Sequence, residues 1–314
     1  MNVGVGAGGC VGVLCIQIIF FLEDHIPVGF KKLFNGTGID AGPPTVIIES
    51  SGGWRMFDFR EIYEYRDLFL FLVYKAIRTR YAQSALGVSW AIIQPFFTMV
   101  VFTIIFGYLV KVESDGIPYA IFSFMAMVPW TYFQESLTQS VSSLISEQNM
   151  VSKIYFPRVV LPLTSILARF IDFLIASVLL AGMLAWYGMV PNIGILMLPV
   201  LILMIMLTAS GLGMFLGAMA VQYRDINYGM SFATRLLMYA APVVYPASLV
   251  PDQYRIWYGL NPMVGVIEGF RSALAGANPM PWDLIIPGMI VSVVVFFIGG
   301  LYFRRKERVF ADVA

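Results

Sequence analysis

Few side chains in this sequence are of the kinds that make or break bonds. The 314 residues hold one histidine, His25, and two cysteines, Cys10 and Cys15, all within the first 25 positions. Such a set builds neither a His/Cys metal site nor a disulfide framework. No serine or cysteine stands in G-x-S-x-G, and G-x-x-x-x-G-K-[ST] is absent, so the chain has no nucleophile elbow and no P-loop. Gly4, Gly6 and Gly9 do spell G-x-G-x-x-G. No strand pattern precedes them and no acidic residue follows at the required distance, so the match is fortuitous. A polytopic glycan-modifying enzyme would need a clustered acid, base or metal set, which the sequence lacks. The reading is a non-enzyme that uses any ATP through a partner.

Three groups of polar residues remain. Arg169 and Asp172 are spaced i, i+3 in an apolar run and can meet on one helix face. Each charge alone would cost roughly 2.5–3.5 kcal/mol at a bilayer centre, so the pair either lines a polar path or neutralises itself to fix helix packing. SKIYFPR, Ser152 to Arg158, is a basic shelf between two long apolar segments. It is either a positive-inside anchor or a docking surface for a cytoplasmic partner. In the second case Tyr155 and Phe156 are apolar anchors, Lys153 and Arg158 orienting charges, and Pro157 a stiff corner. Beyond residue 240 the chain reads APVVYP, VPDQYRIWYGLNP and EGFRSAL, with prolines at 242, 246, 251 and 262 that forbid one continuous helix. Met263 to Leu274 has helical composition after an Asn-Pro start. Tyr245, Pro246, Asn261, Pro262, Glu268 and Arg271 belong either to short re-entrant or interfacial helices that lid a pathway, or to an external loop with an amphipathic helix lying on the membrane.

The elements that must position these groups are membrane spans. Hydrophobic residues make up 59% and charged residues 12% of the chain, and mean hydropathy is +0.79. Windows near the roughly 20 apolar residues a span needs run from Leu86 to Val110, Ile117 to Leu137, Val159 to Trp186, Ile193 to Val221, Met230 to Tyr245 and Leu284 to Phe303. The fifth is short and proline-bounded. Basic residues sort by side: Arg55, Arg60, Arg66, Lys75, Arg78, Arg80, Lys153, Arg158, Arg224, Arg235, Arg304, Arg305, Lys306 and Arg308 against Lys111, Arg255 and Arg271. Both termini are therefore expected inside, and no nucleic-acid surface is expected. Aromatics such as Trp130, Trp186 and Trp257 suit interfacial belts, although aromatic faces also suit sugar rings. Residues 57–85 hold an amphipathic helix for the cytoplasmic interface, and 86–314 the six-span domain. Residues 1–56 are a leader and linker of uncertain role, with a Gly, Pro and Ser-rich end suited to disorder.

From about Phe57 onward the sequence resembles the membrane subunit of ABC-type polysaccharide exporters, the group that moves O-antigen, capsule and teichoic-acid polymers. The matching pieces are LGVSWAIIQP (86–95), VPWTYF (128–133), SKIYFPRVVLP (152–162), YRDI (223–226), APVVYP (241–246), Asn261-Pro262, EGFR (268–271) and FRRKERVFADV (303–313). The leader has no counterpart in that pattern. The resemblance implies an all-α homodimer of six-span subunits in the bacterial inner membrane. It implies a separate cytoplasmic ABC ATPase that holds ATP and magnesium, this chain carrying no cofactor. It also implies a coupling helix over about Glu147 to Arg158, gate helices after the fifth span and a lipid-linked glycan as cargo. A permease of the same superfamily for drugs, haem or lipids is the alternative.

Overall fold

In the computed structural model the residues described are 63–81, 89–151, 153, 155–276 and 279–307. The leader 1–56, the start of LGVSWAIIQP, Ser152, Ile154 and the tail after Glu307 lie outside them. Among the described residues all regular structure is helical. In chain order it comprises α1 (Arg66–Tyr81), α2 (Trp90–Phe102) continued by a π-helix (Thr103–Leu109), α3 (Tyr119–Ser146), α4 (Gln148–Val151) and α5 (Val160–Trp186). A 3-10 turn (Ile193–Met197) then leads into α6 (Leu198–Gln222), followed by α7 (Asp225–Ala240), a second 3-10 turn (Ala247–Leu249), α8 (Asp252–Gly259), α9 (Pro262–Ala275) and α10 (Trp282–Glu307).

Among the described residues, four helical stretches are both long and apolar enough to cross a membrane: Trp90–Leu109, Val160–Trp186, Ile193–Gln222 and Trp282–Glu307. The other two predicted windows are also helical, but each departs from a plain apolar span. α3 runs nine residues past the window's end at Leu137, because its second half, QESLTQSVSSLIS, is helix-compatible yet polar. α7 is shifted five residues toward the N-terminus of its window. Pro242 disfavours α geometry at Ala241, which is extended (φ −108°, ψ 153°), so the helix stops at Ala240. At 16 residues it is about 24 Å long, short of the roughly 30 Å hydrocarbon core. Arg235, counted above with the basic side, lies ten residues into this helix on an exposed face.

α3 is the central column. Every residue from Ile121 to Trp130 is buried, which requires neighbours on all sides. α2, α5, α6, α7 and α9 supply them. α6 and α10 cross backbone to backbone: a Cβ on Gly211 would meet Val295 O at 2.6 Å, and one on Gly299 would collide with the Gly211 carbonyl. Small residues permit this approach, and a buried Thr208 Oγ1 to Ser292 Oγ bond of 3.0 Å crosses the same seam. α2 ends differently. Its π-helical continuation closes with Val110 N donating to Ile105 O (2.9 Å), and the chain turns at Lys111 with φ +56°.

Candidate functional site

The shelf predicted at 152–158 sits where five helices converge. Phe156, 3% exposed, packs in a cluster with Leu72 of α1, Leu144 of α3, Val160 and Leu161 of α5, Met214 and Ala218 of α6, and Phe303 of α10. Tyr155 points the other way and is 65% exposed, and Lys153 is exposed as well. Phe156 thus anchors the segment on its own subunit, and Tyr155 is the ring of the two that another protein can reach. Pro157 is buried, and its carbonyl accepts from Val160 N at 3.0 Å, so the corner leads directly into the first turn of α5. Arg158 bonds Glu307 at the end of α10: its backbone N–H donates to Oε1 at 3.0 Å and its guanidinium to the carbonyl at 2.7 Å. On the flank, Lys75 of α1 grips both oxygens of Glu147 at 2.9 Å. That pair draws α1 onto the end of α3 just before α4.

Arg169 and Asp172 meet at 3.4 Å, as their spacing allows, and neither stops there. Arg169 also reaches Glu135 (3.1 Å) and Gln139 (2.6 Å) on α3, while Asp172 accepts from Arg80 (3.0 Å) and from the Tyr81 hydroxyl on α1. The group is a clasp that ties α1, α3 and α5 together. One cavity beside it, lined by Arg80, Gln94, Glu135, Arg169 and Asp172, measures about 60 Å³ and holds no more than a few waters, and another, lined by Lys75, Arg80, Gln139, Glu147 and Arg169, measures about 390 Å³. Arg80, Tyr81, Glu135 and Gln139 had no signal in the linear sequence, because each is brought in by tertiary packing.

At the other end of the bundle, Tyr245 and Glu268, two of the residues predicted around the prolines, meet at Arg271. Its side chain is almost wholly buried, lies over the Phe122 ring (3.6 Å to the centroid), and bonds Glu268 (2.9 Å) and Val243 O (3.1 Å). Longer contacts of 3.4 Å run to Phe122 O and Tyr245 O. Glu268 in turn accepts from Ala247 N at 2.9 Å, and Tyr119 OH donates to Val244 O at 2.7 Å. The turn 241–247 is therefore held from both sides by α9 and by the start of α3. Pro246 is buried within it. Tyr245 OH donates to Tyr239 O (3.1 Å) and lies 3.1 Å from Tyr258 OH. Burial, with that hydroxyl beside it, pushes the Tyr258 phenol well up, so it stays a neutral donor. Asn261 caps α9 by accepting from Met263 N (3.1 Å), Pro262 takes the first helical position, and Gly276 ends the helix at φ +65°. A cavity of about 510 Å³ opens beside this cap, with Asp115, Ser248, Arg255, Glu268, Arg271 and Asp283 in its wall.

The arrangement is thus a polar, partly exposed segment at one end, a tightly bonded cap with a polar cavity at the other, and long apolar helices between. Among the described residues no group of His, Cys, Asp or Glu could hold a metal ion. The profile of the ABC-2 type transporter family matches residues 67–275. The chain is similar to the O-antigen export system permease protein RfbA of Myxococcus xanthus, 26% identical over 255 residues that cover 81% of this chain and 97% of that protein. It is 24% identical over 248 residues to the protein of the same name from Klebsiella pneumoniae, covering 79% and 95%. It is also 24% identical over 243 residues to the polysialic acid transport protein KpsM of Escherichia coli, covering 75% and 92%.

Proposed function

The chain belongs to the ABC-2 type transporter membrane family, and from that premise we propose that it is the permease subunit of an ATP-driven exporter of a lipid-linked surface polysaccharide. The observation that carries the substrate class is the near full-length likeness to permeases named for O-antigen and polysialic acid. No comparable support favours drugs, haem or lipids as cargo. α2, α3, α5, α6 with its leading 3-10 turn, α7 and α10 are the six spans of an inner-membrane protein, with both termini cytoplasmic. The subunit works as a homodimer; Phe97 of α2, Tyr108 of its π-helical continuation, and Tyr228 and Phe232 of α7 are uncovered and offer surface to a second copy. α8 and α9 are the outer gate helices.

The energy enters from a separate ATPase, which binds ATP and magnesium. It docks on Glu147–Arg158, where Lys153 and Tyr155 face outward while Phe156, Pro157 and Arg158 hand the displacement to the helices behind them. Replacing Lys153 and Tyr155 together by alanine is expected to abolish co-purification of the ATPase and to remove the polysaccharide from the cell surface, with the permease still inserted at its normal level. Retention of both the ATPase and surface glycan by this double variant refutes the docking assignment.

A further inference from the structure

The backbone just before α5 and the last described turn of α10 bond one another. A helix start leaves backbone N–H groups without intrahelical partners. Just before α5, the Arg158 N–H donates to Glu307 Oε1, and the Arg158 guanidinium donates to the Glu307 carbonyl at the close of α10. The exchange is electrostatically favourable. A carboxylate sits at the positive N-terminal end of α5, and the guanidinium is held by a backbone carbonyl. Arg304 Nη1 holds the other carboxylate oxygen at 3.2 Å, and the Glu307 side chain is only 16% exposed. Directly alongside, Phe303 and Phe156 share the apolar cluster. A polar lock therefore lies over an apolar contact, which fixes both the position and the direction of residues 155–158 on α10.

α10 itself has little freedom to absorb a displacement. Midway it is seated on the backbone of α6 at Gly211, and at its far end the backbone of Leu284 and Ile285 lies against Gly265 of α9. A Cβ on Gly265 would come within 2.6 Å of the Leu284 carbonyl, so α9 and α10 are in direct backbone contact.

We infer that Glu307 is the positioning residue that locks the coupling segment to α10, so that displacement of Tyr155–Arg158 moves α10 together with α5 and is delivered to α9 at the outer cap. This rests on the reading that residues 147–158 receive the ATPase's movement. Sequence reasoning missed Glu307 because its partner is 149 positions away.

The test uses the complete permease–ATPase complex in proteoliposomes, supplied with the lipid-linked polymer extracted from a host strain lacking this chain. ATP hydrolysed and polymer translocated are measured together. Glu307→Ala deletes the carboxylate but keeps the carbonyl, and Glu307→Gln keeps an oxygen that can accept from the Arg158 N–H. The alanine variant is expected to assemble and hydrolyse ATP while moving roughly tenfold less polymer per ATP, with glutamine restoring most of that ratio. An unchanged ratio in Glu307→Ala overturns the inference. So does a parallel fall in stability, hydrolysis and transport, which marks a merely structural residue. If the unmodified chain fails to bind the ATPase, the docking assignment itself has failed, and the inference falls with it.

Discussion

Truncating Arg271 to alanine removes a buried side chain bonded to Glu268, Val243, Phe122 and Tyr245. Its guanidinium and the Glu268 carboxylate are 5% and 13% exposed and 2.9 Å apart. Removing one partner of such a pair leaves the other charged and poorly solvated, which costs about 3–5 kcal/mol. Glu268 would keep the Ala247 N–H but lose its cation, and the Val243 carbonyl would lose its 3.1 Å donor. Loss of the cation from above Phe122 acts in the same direction, at about 0.5–2 kcal/mol, and is not fully additive with the pair. Against a total stability of about 5–15 kcal/mol the effect is large. Denaturant unfolding in micelles should register it, and proteolysis should strike residues 241–247 first, because this turn loses its tether. The double variant Glu268→Gln, Arg271→Met should recover part of the loss, since it leaves no unpaired charge. An Arg271→Ala protein within about 1 kcal/mol of the parent, or a double variant whose cost equals the sum of the single ones, refutes this account of the cap.

Two further expectations concern the helix contacts. Gly299→Val places side-chain carbon against the Gly211 backbone, where no flexible atom can yield, so it should lower stability by at least the roughly 1–3 kcal/mol of an overpacked core. Gly182→Ala, with nothing within 4 Å of the added carbon, should not lower the unfolding temperature and serves as the control. Asp172→Ala strips Arg80 and Tyr81 of a shared acceptor at a cost of about 1–3 kcal/mol. Hydrogen exchange over residues 66–81 should accelerate markedly, with the bundle core still protected.

The four long apolar helices were legible because an apolar run of membrane length is a strong, local signal. Helix ends were less so where composition and backbone geometry disagree. Ser140 and Ser143 propagate α3 without raising its hydropathy, and Pro242 halts α7 by restricting the residue before it. The Arg169–Asp172 contact was readable from its helical spacing, whereas the reach to Glu135 and Arg80 depends on how α1 and α3 pack on α5. In the shelf, Tyr155 and Phe156 look equivalent on paper, since a segment without regular structure offers no period from which to tell an outward side chain from an inward one. The asparagine-proline start of α9 was visible in sequence, because its capping chemistry is entirely local.

The π-helical end of the first long helix has a consequence for the length of the chain. Bonds from i to i+5 give Thr103–Leu109 more residues for each turn than an α-helix would hold, so the stretch stores surplus chain. Loss of one residue there would be taken up by tightening into ordinary α-helix, with Tyr119 and the buried column behind it left in place. The same loss inside Ile121–Trp130 would rotate every later side chain of α3 by about 100° and turn its packed faces out of register. Related chains can therefore differ by a residue in the π-helical end of the first long helix far more readily than in α3, and a gap aligned at 103–109 marks a change of helical winding rather than a missing piece of structure.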